Sequence, residues 1–293
     1  MRLYIIGNGF DIRHGLPTKY SDFKTYVEKC DKELFNAIEE YLPAGPQWND
    51  LERSLGEIDY DSILDNCESF LEPYSAEEWS DAFHHDYQYE VNEITLLLSE
   101  RLKNHFTDWV KGVDITKAYE HTDYIPPIPI ENQYLSFNYT NTLQEIYSVP
   151  DFKITHIHGN CSYNDNLKLG HCFKVGKSLN PYAGPEQDMR VAEAYDHINE
   201  YFGITFKPVE DIIRCNKKFF SSLENIDEIF IFGHSLSEVD GEYFAEINKR
   251  IQKNARWVVA LYENELKSGN LENYGVNPAN ILFVSYEDEI LKK

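Results

Sequence analysis

Four short segments of this sequence place glycine, asparagine, histidine or serine directly after an apolar run. They are Gly7-Asn8-Gly9, Phe137-Asn138-Tyr139, His156-Ile157-His158-Gly159 and Gly233-His234-Ser235. If the apolar runs are strands of one parallel sheet, the four segments meet at its carboxyl edge, where α/β proteins bind their ligands. Backbone amides there would bind phosphate, and the side chains would supply a neutral amide and an imidazole for acid–base chemistry.

The glycine pair of the first segment favours a close approach between backbone and ligand. Gly7 and Gly9 permit that approach, and a helix after them would offer free N–H groups to a phosphate. The spacing falls short of the dinucleotide-binding fingerprint, because Ile12 occupies the third glycine position and no clear acidic strand end follows about 20 residues later. A plain strand-to-helix turn is an equally good interpretation. Asp11 would either bond a ribose hydroxyl or cap the turn.

The paired histidines of the third segment have three interpretations. His156 and His158 are two residues apart on one predicted strand, so both point to the same face. One of them would act as a general base near neutral pH. Alternatively, the pair forms half of a metal site with Cys161, His171 and Cys172. The third interpretation is a pair of structural histidines satisfied by hydrogen bonds.

The second and fourth segments offer polar groups at strand ends. Asn138 would hold a water or a ribose hydroxyl, or it would simply close a turn. Gly233 would let a nucleotide pack on the backbone, and Ser235 would bond its phosphate or ribose. The fourth segment is not the nucleophile elbow of a serine hydrolase, because Ser237 stands where that motif requires glycine.

Composition narrows the classes of partner. The 293 residues carry a formal charge of −23, which disfavours long nucleic acid and anionic membranes but permits a small anion in a local pocket. No apolar run approaches the ~20 residues of a membrane span, and the first residues do not read as a secretory signal. The five cysteines are scattered, which favours a reducing cytoplasm.

Apolar runs that alternate with helical periodicities predict the fold. Leu3–Ile6 and the runs in NQYLSF, FKITHIH, DEIFIF, ARWVVAL and NILFVS have the character of strands. Strands that alternate with helices indicate an α/β protein with a Rossmann-like, mostly parallel sheet. We expect residues 1–19 plus 125–293 to form this nucleotide-binding domain and residues 20–124 to form a large helical insertion or cap. The prolines of DYIPPIPIE predict an extended linker between them.

Several segments together resemble a known family. The stretches LYIIGNGFDIRHGLPTKYSDF, WNDLE, LSFNYTNTLQEIY, HIHG and FGHSLSEVDGEYF are similar, in this order, to the bacteriophage abortive-infection AbiH family. The resemblance spans nearly the whole chain. It implies a role in bacterial defence against phage.

The same order of motifs is similar, more distantly, to the sirtuin (DHS-like) NAD-binding fold. That resemblance implies that His158 is a catalytic base, that Asn138 positions a water or the nicotinamide ribose, and that Asp11 steadies the ribose. The residues that it implies for NAD binding are Gly7, Asn8, Gly9, Phe10, Gly159, Gly233, His234 and Ser235. Phe10 and Asp11 stand where sirtuins have small residues, and Thr140 replaces their aspartate. No four-cysteine zinc module is present, so a deacylase is not expected.

These resemblances lead to one favoured function and two alternatives. The favoured function is hydrolysis of the N-glycosidic bond of NAD, which is then a substrate, with no metal required. We expect a phage-derived trigger and a homo-oligomer, because unregulated activity would kill the cell. The first alternative is a nucleotide-binding sensor or adaptor without turnover. The second is a metal-dependent hydrolase or nuclease that uses His156, His158 and His171.

Overall fold

The chain folds into two compact units. The computed structural model describes residues 1–74, 83–124, 128–163, 167–174, 176, 178–181, 184, 187–261, 271–288 and 291. The sheet unit comprises Met1–Lys19, Trp109–Lys168 and Pro208–Lys293. The helical unit comprises Tyr20–Asp108 and Leu169–Lys207. Among the residues that the structure describes, no helix is both long and apolar enough to cross a bilayer.

A six-stranded, all-parallel sheet is formed by described residues of the sheet unit. Its strands are β1 (Arg2–Ile6), β2 (Gln133–Ser136), β3 (Ile154–His156), β4 (Glu228–Phe232), β5 (Arg256–Leu261) and β6 (Ile281–Ser285). Their order is β3-β2-β1-β4-β5-β6, and every neighbouring pair is parallel. The predicted α/β fold with a parallel sheet is therefore confirmed. This strand order is that of doubly wound dinucleotide-binding folds, and it reverses direction between β1 and β4.

Both faces of the central strand β1 are buried, which explains why this strand is a continuous apolar run. Leu3 and Ile5 of β1 belong to one core cluster, whereas Tyr4 and Ile6 belong to a second cluster. The alternation follows from the two-residue period of a strand, which points successive side chains to opposite faces. Helices must cover both faces of such a sheet.

The helices of the chain are mostly short. They are α1 (Asn8–Arg13), α2 (Tyr20–Cys30), α3 (Lys32–Tyr41), α4 (Leu51–Ser54), α5 (Tyr60–Cys67), α6 (Phe83–Leu96), α7 (Leu102–Lys111), α8 (Thr142–Tyr147), α9 (Met189–Thr205), α10 (Val209–Cys215), α11 (Lys217–Ser221) and α12 (Gly241–Arg250). A π-helical turn at Leu97–Arg101 joins α6 to α7. In the sheet unit, α12 buries Tyr243, Phe244 and Ile247 in the core cluster that contains Leu3.

The helical unit includes a segment that the sequence analysis had assigned to the sheet domain. Leu169–Lys207 belongs to it because α9 packs along α6 and buries a row of large side chains. Tyr201 is one of these, and its hydroxyl donates to the backbone oxygen of Leu55 at 3.0 Å. The boundary predicted at residue 125 falls on residues 125–127, which lie outside the described residues together with the linker prolines at 126 and 127.

The turns that follow β1 and β4 pack backbone against backbone. A Cβ atom on Gly7 would lie 2.5 Å from the Cα of His234, and one on Gly9 would lie 2.7 Å from the Cα of Gly233. Gly233 has a φ of +64°, and a Cβ there would lie 2.1 Å from the amide nitrogen of Phe10. These three positions therefore require glycine because the two turns interlock where the strand order reverses.

We predict that Gly233→Ala lowers the free energy of unfolding by more than about 2 kcal/mol. A left-handed backbone alone costs an L-residue about 1–2 kcal/mol, and the clash with Phe10 adds to that cost. Urea unfolding of the purified variant measures the change. Gly203→Ala in α9 is the matched control, because a Cβ there meets no atom within 4 Å. That control should be neutral or slightly stabilising. Equal stability of the two variants would contradict the interlocked turns.

Candidate functional site

The polar residues that follow strands β1, β2, β3 and β4 lie at the carboxyl edge of the sheet. Asp11 lies on α1, directly after β1. Asn138 follows β2, His158 follows β3, and His234 follows β4. Because the four strands are parallel, their following segments lie at one edge of the sheet unit, as the sequence predicted.

The amides of the glycine segment already donate hydrogen bonds inside the protein. Gly7 N donates to the Phe232 oxygen at 2.9 Å, and Gly9 N donates to the Gly233 oxygen at 2.7 Å. Phe10 N donates to the Gly7 oxygen at 2.9 Å. Diphosphate binding by these three amides stays a prediction, and it would require these bonds to be exchanged.

The neighbouring side chains of this segment make contacts inside the protein. Asn8 Nδ2 donates to the Thr18 oxygen at 2.6 Å. The Phe10 ring is fully buried and packs on the His14 ring, with centroids 4.5 Å apart. His14 Nε2 lies 2.7 Å from the Tyr147 hydroxyl. Phe10 is therefore a core residue in this structure, and its predicted contact with a cofactor remains untested.

Asp11 is a buried carboxylate with an unsatisfied oxygen. Its Oδ2 accepts a hydrogen bond from Thr140 Oγ1 at 2.5 Å, and Thr140 Oγ1 in turn accepts from Thr142 Oγ1 at 3.2 Å. Its Oδ1 has no hydrogen-bond partner among the described residues. Burial raises the pKa of Asp11 to about 6, while Thr140, Thr142 and the Asn138 amide oppose that rise. A carboxyl of this kind titrates near neutral pH and suits acid–base chemistry.

Asn138 presents a buried carboxamide beside Asp11. Its side chain is almost fully buried, and neither Nδ2 nor Oδ1 makes a hydrogen bond of regular geometry within the described part of the chain. The amide is nevertheless close enough to the Asp11 carboxylate to lower the pKa of that group, so the two side chains face each other. A buried polar group left unsatisfied costs about 1–3 kcal/mol, so this one calls for a ligand or a water. A sugar hydroxyl fits, because it both donates and accepts.

His156 fixes the backbone that carries Asn138. Its Nε2 accepts from Gln144 Nε2 at 2.9 Å and from Asn160 Nδ2 at 3.1 Å. These two amide donors leave the proton on Nδ1, which donates to the Asn138 oxygen at 3.1 Å. His156 also lines a cavity of about 300 Å³ with Gln144, Asn160 and Thr155. The interpretation of His156 as a hydrogen-bonded structural histidine agrees with these contacts.

His158 and His234 flank one carboxylate. Asp240 Oδ1 lies 3.4 Å from His158 Nε2, and Asp240 Oδ2 lies 3.5 Å from His234 Nε2. Both distances are long for a hydrogen bond and within ion-pair range. The His158 side chain is only 3% exposed, and its ring meets those of Phe137 and Tyr243 at centroid distances of 5.1 and 5.6 Å. A carboxylate beside an imidazole is the arrangement that orients a general base.

Asp240 is the site residue that the sequence analysis missed. It stands before α12 in the stretch SLSEVDGEYF, where nothing distinguishes it from the other acidic residues. The Nδ1 of His234 accepts from the Leu236 amide at 2.8 Å, and a contact of His234 with a cofactor stays a prediction. Ser235 is exposed, and Gly159 adopts a φ of +89°. No contact in the described residues tests the predicted roles of Ser235 and Gly159.

The predicted metal ligands do not form a recognisable site. Among the described residues, no group of three or more His, Cys, Asp or Glu side chains is placed to hold a metal ion. His171 belongs to the helical unit, where its ring packs against Phe202 and Phe206. Burial lowers the pKa of His171 to about 4. It is therefore a neutral core histidine.

A comparison with models of protein families shows which family the chain belongs to. The model of a family described as bacteriophage abortive infection AbiH matches residues 3–261. The chain belongs to the AbiH family. The match runs from β1 to the end of β5, so it contains every residue of the site described above. Membership supports a role of this AbiH chain in abortive-infection defence against bacteriophage. No curated protein and no solved structure gives a significant match.

We predict that Asp11→Asn stabilises this AbiH chain at pH 7.5. The carboxyl has a pKa of about 6 in the fold and 3.8 as the reference value, so its protonated form favours folding at low pH. That contribution is lost as the pH rises from about 4 to about 6. Removing the buried charge should raise the free energy of unfolding by at most about 3 kcal/mol at pH 7.5, and by little at pH 4. Urea unfolding at both pH values measures this.

Asp31→Asn in the helical unit is the matched control. Asp31 is also buried, but Arg101 and other donors hold its carboxylate, and its pKa is lowered despite burial. Its loss should therefore destabilise the protein at pH 7.5. If Asp11→Asn destabilises to the same degree, the Asp11 carboxylate is a satisfied structural group and not a site residue.

Proposed function

We propose that this AbiH chain acts in phage defence by hydrolysing the N-glycosidic bond of NAD or of a related nicotinamide dinucleotide. One observation carries the proposal. The buried Asp11 Oδ1 and the buried carboxamide of Asn138 make no hydrogen bond of regular geometry in the described residues, and they face each other at adjacent strand ends. The strand order β3-β2-β1-β4-β5-β6 supports a nucleotide ligand at this edge, by analogy of fold.

The chemistry of the two groups suits a ribose. Asp11 Oδ1 would accept a hydrogen bond from one ribose hydroxyl, and Asn138 would donate to and accept from its neighbour. Nicotinamide is a cationic pyridinium while it is bound to the ribose and leaves as a neutral molecule, so positive charge develops on the ribosyl carbon. A buried carboxylate stabilises that charge more strongly than an exposed one would, because the local dielectric is low. Orientation of the ribose would contribute further.

His158 is the proposed base of the hydrolytic step. Water adds to the ribosyl carbon as the bond to nicotinamide breaks, and a proton from that water passes to the imidazole. Asp240, 3.4 Å from His158 Nε2, would stabilise the imidazolium. The products are nicotinamide, ADP-ribose and one proton. Loss of NAD would stop phage replication, and control by a phage-derived trigger or by assembly into a homo-oligomer belongs to the same proposal.

A nucleotide sensor without turnover is the second candidate. It is favoured by the enclosure of the His158 ring between Phe137 and Tyr243, which leaves 3% of the side chain exposed. It is also favoured by the hydrogen bonds that occupy the glycine amides. In this candidate, Asp11 and Asn138 bind the sugar and no bond is broken.

We predict that the purified protein releases nicotinamide from NAD and that His158→Gln lowers kcat by about 10²–10⁴-fold, the usual contribution of a general base. Asn138→Ala should lower kcat and weaken NAD binding together, because it removes a ribose contact. Chromatography of nicotinamide and ADP-ribose measures kcat, and calorimetry measures affinity. Asn141→Ala is the matched control, since the Asn141 side chain bonds Glu145 at the exposed start of α8. It should leave both quantities unchanged.

The outcomes separate the two candidates. NAD binding without nicotinamide release, both alone and in extracts of phage-infected cells, would reject the hydrolase and support the sensor. In that case His158→Gln should retain plaque reduction, whereas Asn138→Ala should lose it. Absence of both binding and release would reject both candidates while leaving the family assignment intact.

A further inference from the structure

In the helical unit a cysteine contacts a histidine, and the same histidine contacts an aspartate. Cys30 is exposed at the end of α2, and its Sγ lies 3.8 Å from Nδ1 of His105 on α7. On the other side of the ring, His105 Nε2 lies 2.8 Å from Asp31 Oδ2. A nucleophile next to a base, with that base oriented by a third group, is the general signature of an activated nucleophile.

Asp31 is held in one position by several hydrogen bonds, and from there it determines which nitrogen of His105 carries the proton. Its side chain is only 4% exposed, and it caps α3 by accepting from the Leu34 amide at 3.1 Å. Arg101 holds it with two further bonds of 2.7 and 2.8 Å. Burial opposes ionisation, but these bonds outweigh it and lower the pKa of Asp31. The ionised carboxylate accepts the proton of His105 Nε2, which leaves the lone pair of Nδ1 directed at the thiol.

We propose that Cys30 is a site of thiol–disulfide exchange, with His105 as its base and a small uncharged disulfide as its reactant. The thiol proton passes from Sγ to His105 Nδ1. The thiolate attacks one sulfur of the disulfide, so that a new S–S bond forms to Cys30 and the original S–S bond breaks. The released thiolate takes the proton back from His105. The exchange needs no further oxidant or reductant.

The groups around Cys30 explain the preference for an uncharged reactant. Charges of both signs lie around Cys30: Arg101 Nη1 donates to Glu33 at 2.9 Å, Lys32 donates to Glu28 at 3.2 Å, and Asp108 lies near enough to act on Tyr26. An uncharged disulfide is neither strongly attracted nor repelled by this mixed field. Burial, with a contribution from Cys30, raises the pKa of Tyr26, which favours its neutral form.

The Cys30 thiol has two possible hydrogen-bond partners, so it can occur in two states that differ in reactivity. Cys30 Sγ also lies 3.1 Å from the Tyr26 oxygen one helical turn earlier. A thiol that keeps its proton on that bond reacts as an ordinary cysteine. A thiol that gives its proton to His105 reacts as a thiolate at lower pH. The reaction rate as a function of pH distinguishes the two states.

Cys215 is an internal reference for Cys30. Both thiols are exposed, and each is the last residue of its helix. None of the described histidines lies within hydrogen-bonding distance of Cys215 Sγ. The two sites therefore share exposure and helix position and differ in the imidazole.

The test measures both thiols in one reaction of the full chain. The protein is mixed with excess 2-hydroxyethyl disulfide, quenched with acid and digested, and mass spectrometry gives the rate at each cysteine. We expect the ratio of the Cys30 rate to the Cys215 rate to be at least about threefold larger at pH 6 than at pH 9. Differences in access cancel, because they affect the ratio equally at both pH values.

His105→Gln is the decisive variant, since glutamine still donates to Asp31 but cannot take a proton. The pH dependence of the ratio should fall below threefold in this variant. A wild-type change below threefold overturns the proposal, and so does a larger change that persists in His105→Gln. If that variant does not fold, the wild-type ratio decides together with Asp31→Asn, which removes the charge that supports the imidazolium and should also reduce the change. Cys30→Ser confirms the assignment of the modified peptide.

Discussion

The carboxyl edge of the sheet depends on the contact between the turns after β1 and β4. Gly7, Gly9 and Gly233 bring the two backbones so close that no side chain fits between them. The contact fixes the start of α1 and therefore the position of Asp11. It also fixes the turn that leads through His234 to Asp240. In many doubly wound proteins the crevice at this switch point is open to a ligand. Here the backbone fills it, and the unsatisfied polar groups lie toward β2.

Much of the fold and part of the site follow from the sequence. Apolar runs of strand length, separated by helical periodicities, are sufficient to predict a parallel sheet because such strands are buried on both faces. Parallel strands then bring Asp11, Asn138 and His158 to one edge. The hydroxyl of Thr140 has a clear partner in the fold, since it donates to the Asp11 carboxylate at 2.5 Å. Both residues stand out in the sequence, but no local pattern pairs two side chains that are 129 positions apart.

The features that escaped prediction depend on contacts between distant segments. The spacing of glycines shows that something packs closely on the backbone, but it does not distinguish a ligand from another turn. The sequence therefore does not determine the role of Gly9. Asp240 becomes distinctive only when the fold brings it between two imidazoles. Leu169–Lys207 joins the helical unit through the packing of α9 on α6, which no local periodicity records. Cys30 and His105 are likewise 75 positions apart.

The central position of β1 has a consequence for synthesis of the protein. β1 is made first, yet one of its two neighbours is β4, which begins at Glu228. During translation the β4-facing side of β1 therefore stays unpaired until more than two thirds of the chain has been made. Pairing between strands so far apart in the sequence is slow. Asp240, which flanks His158, emerges later still. A polypeptide that ends before that point therefore lacks the Asp240 carboxylate between His158 and His234, and its polar edge is incomplete.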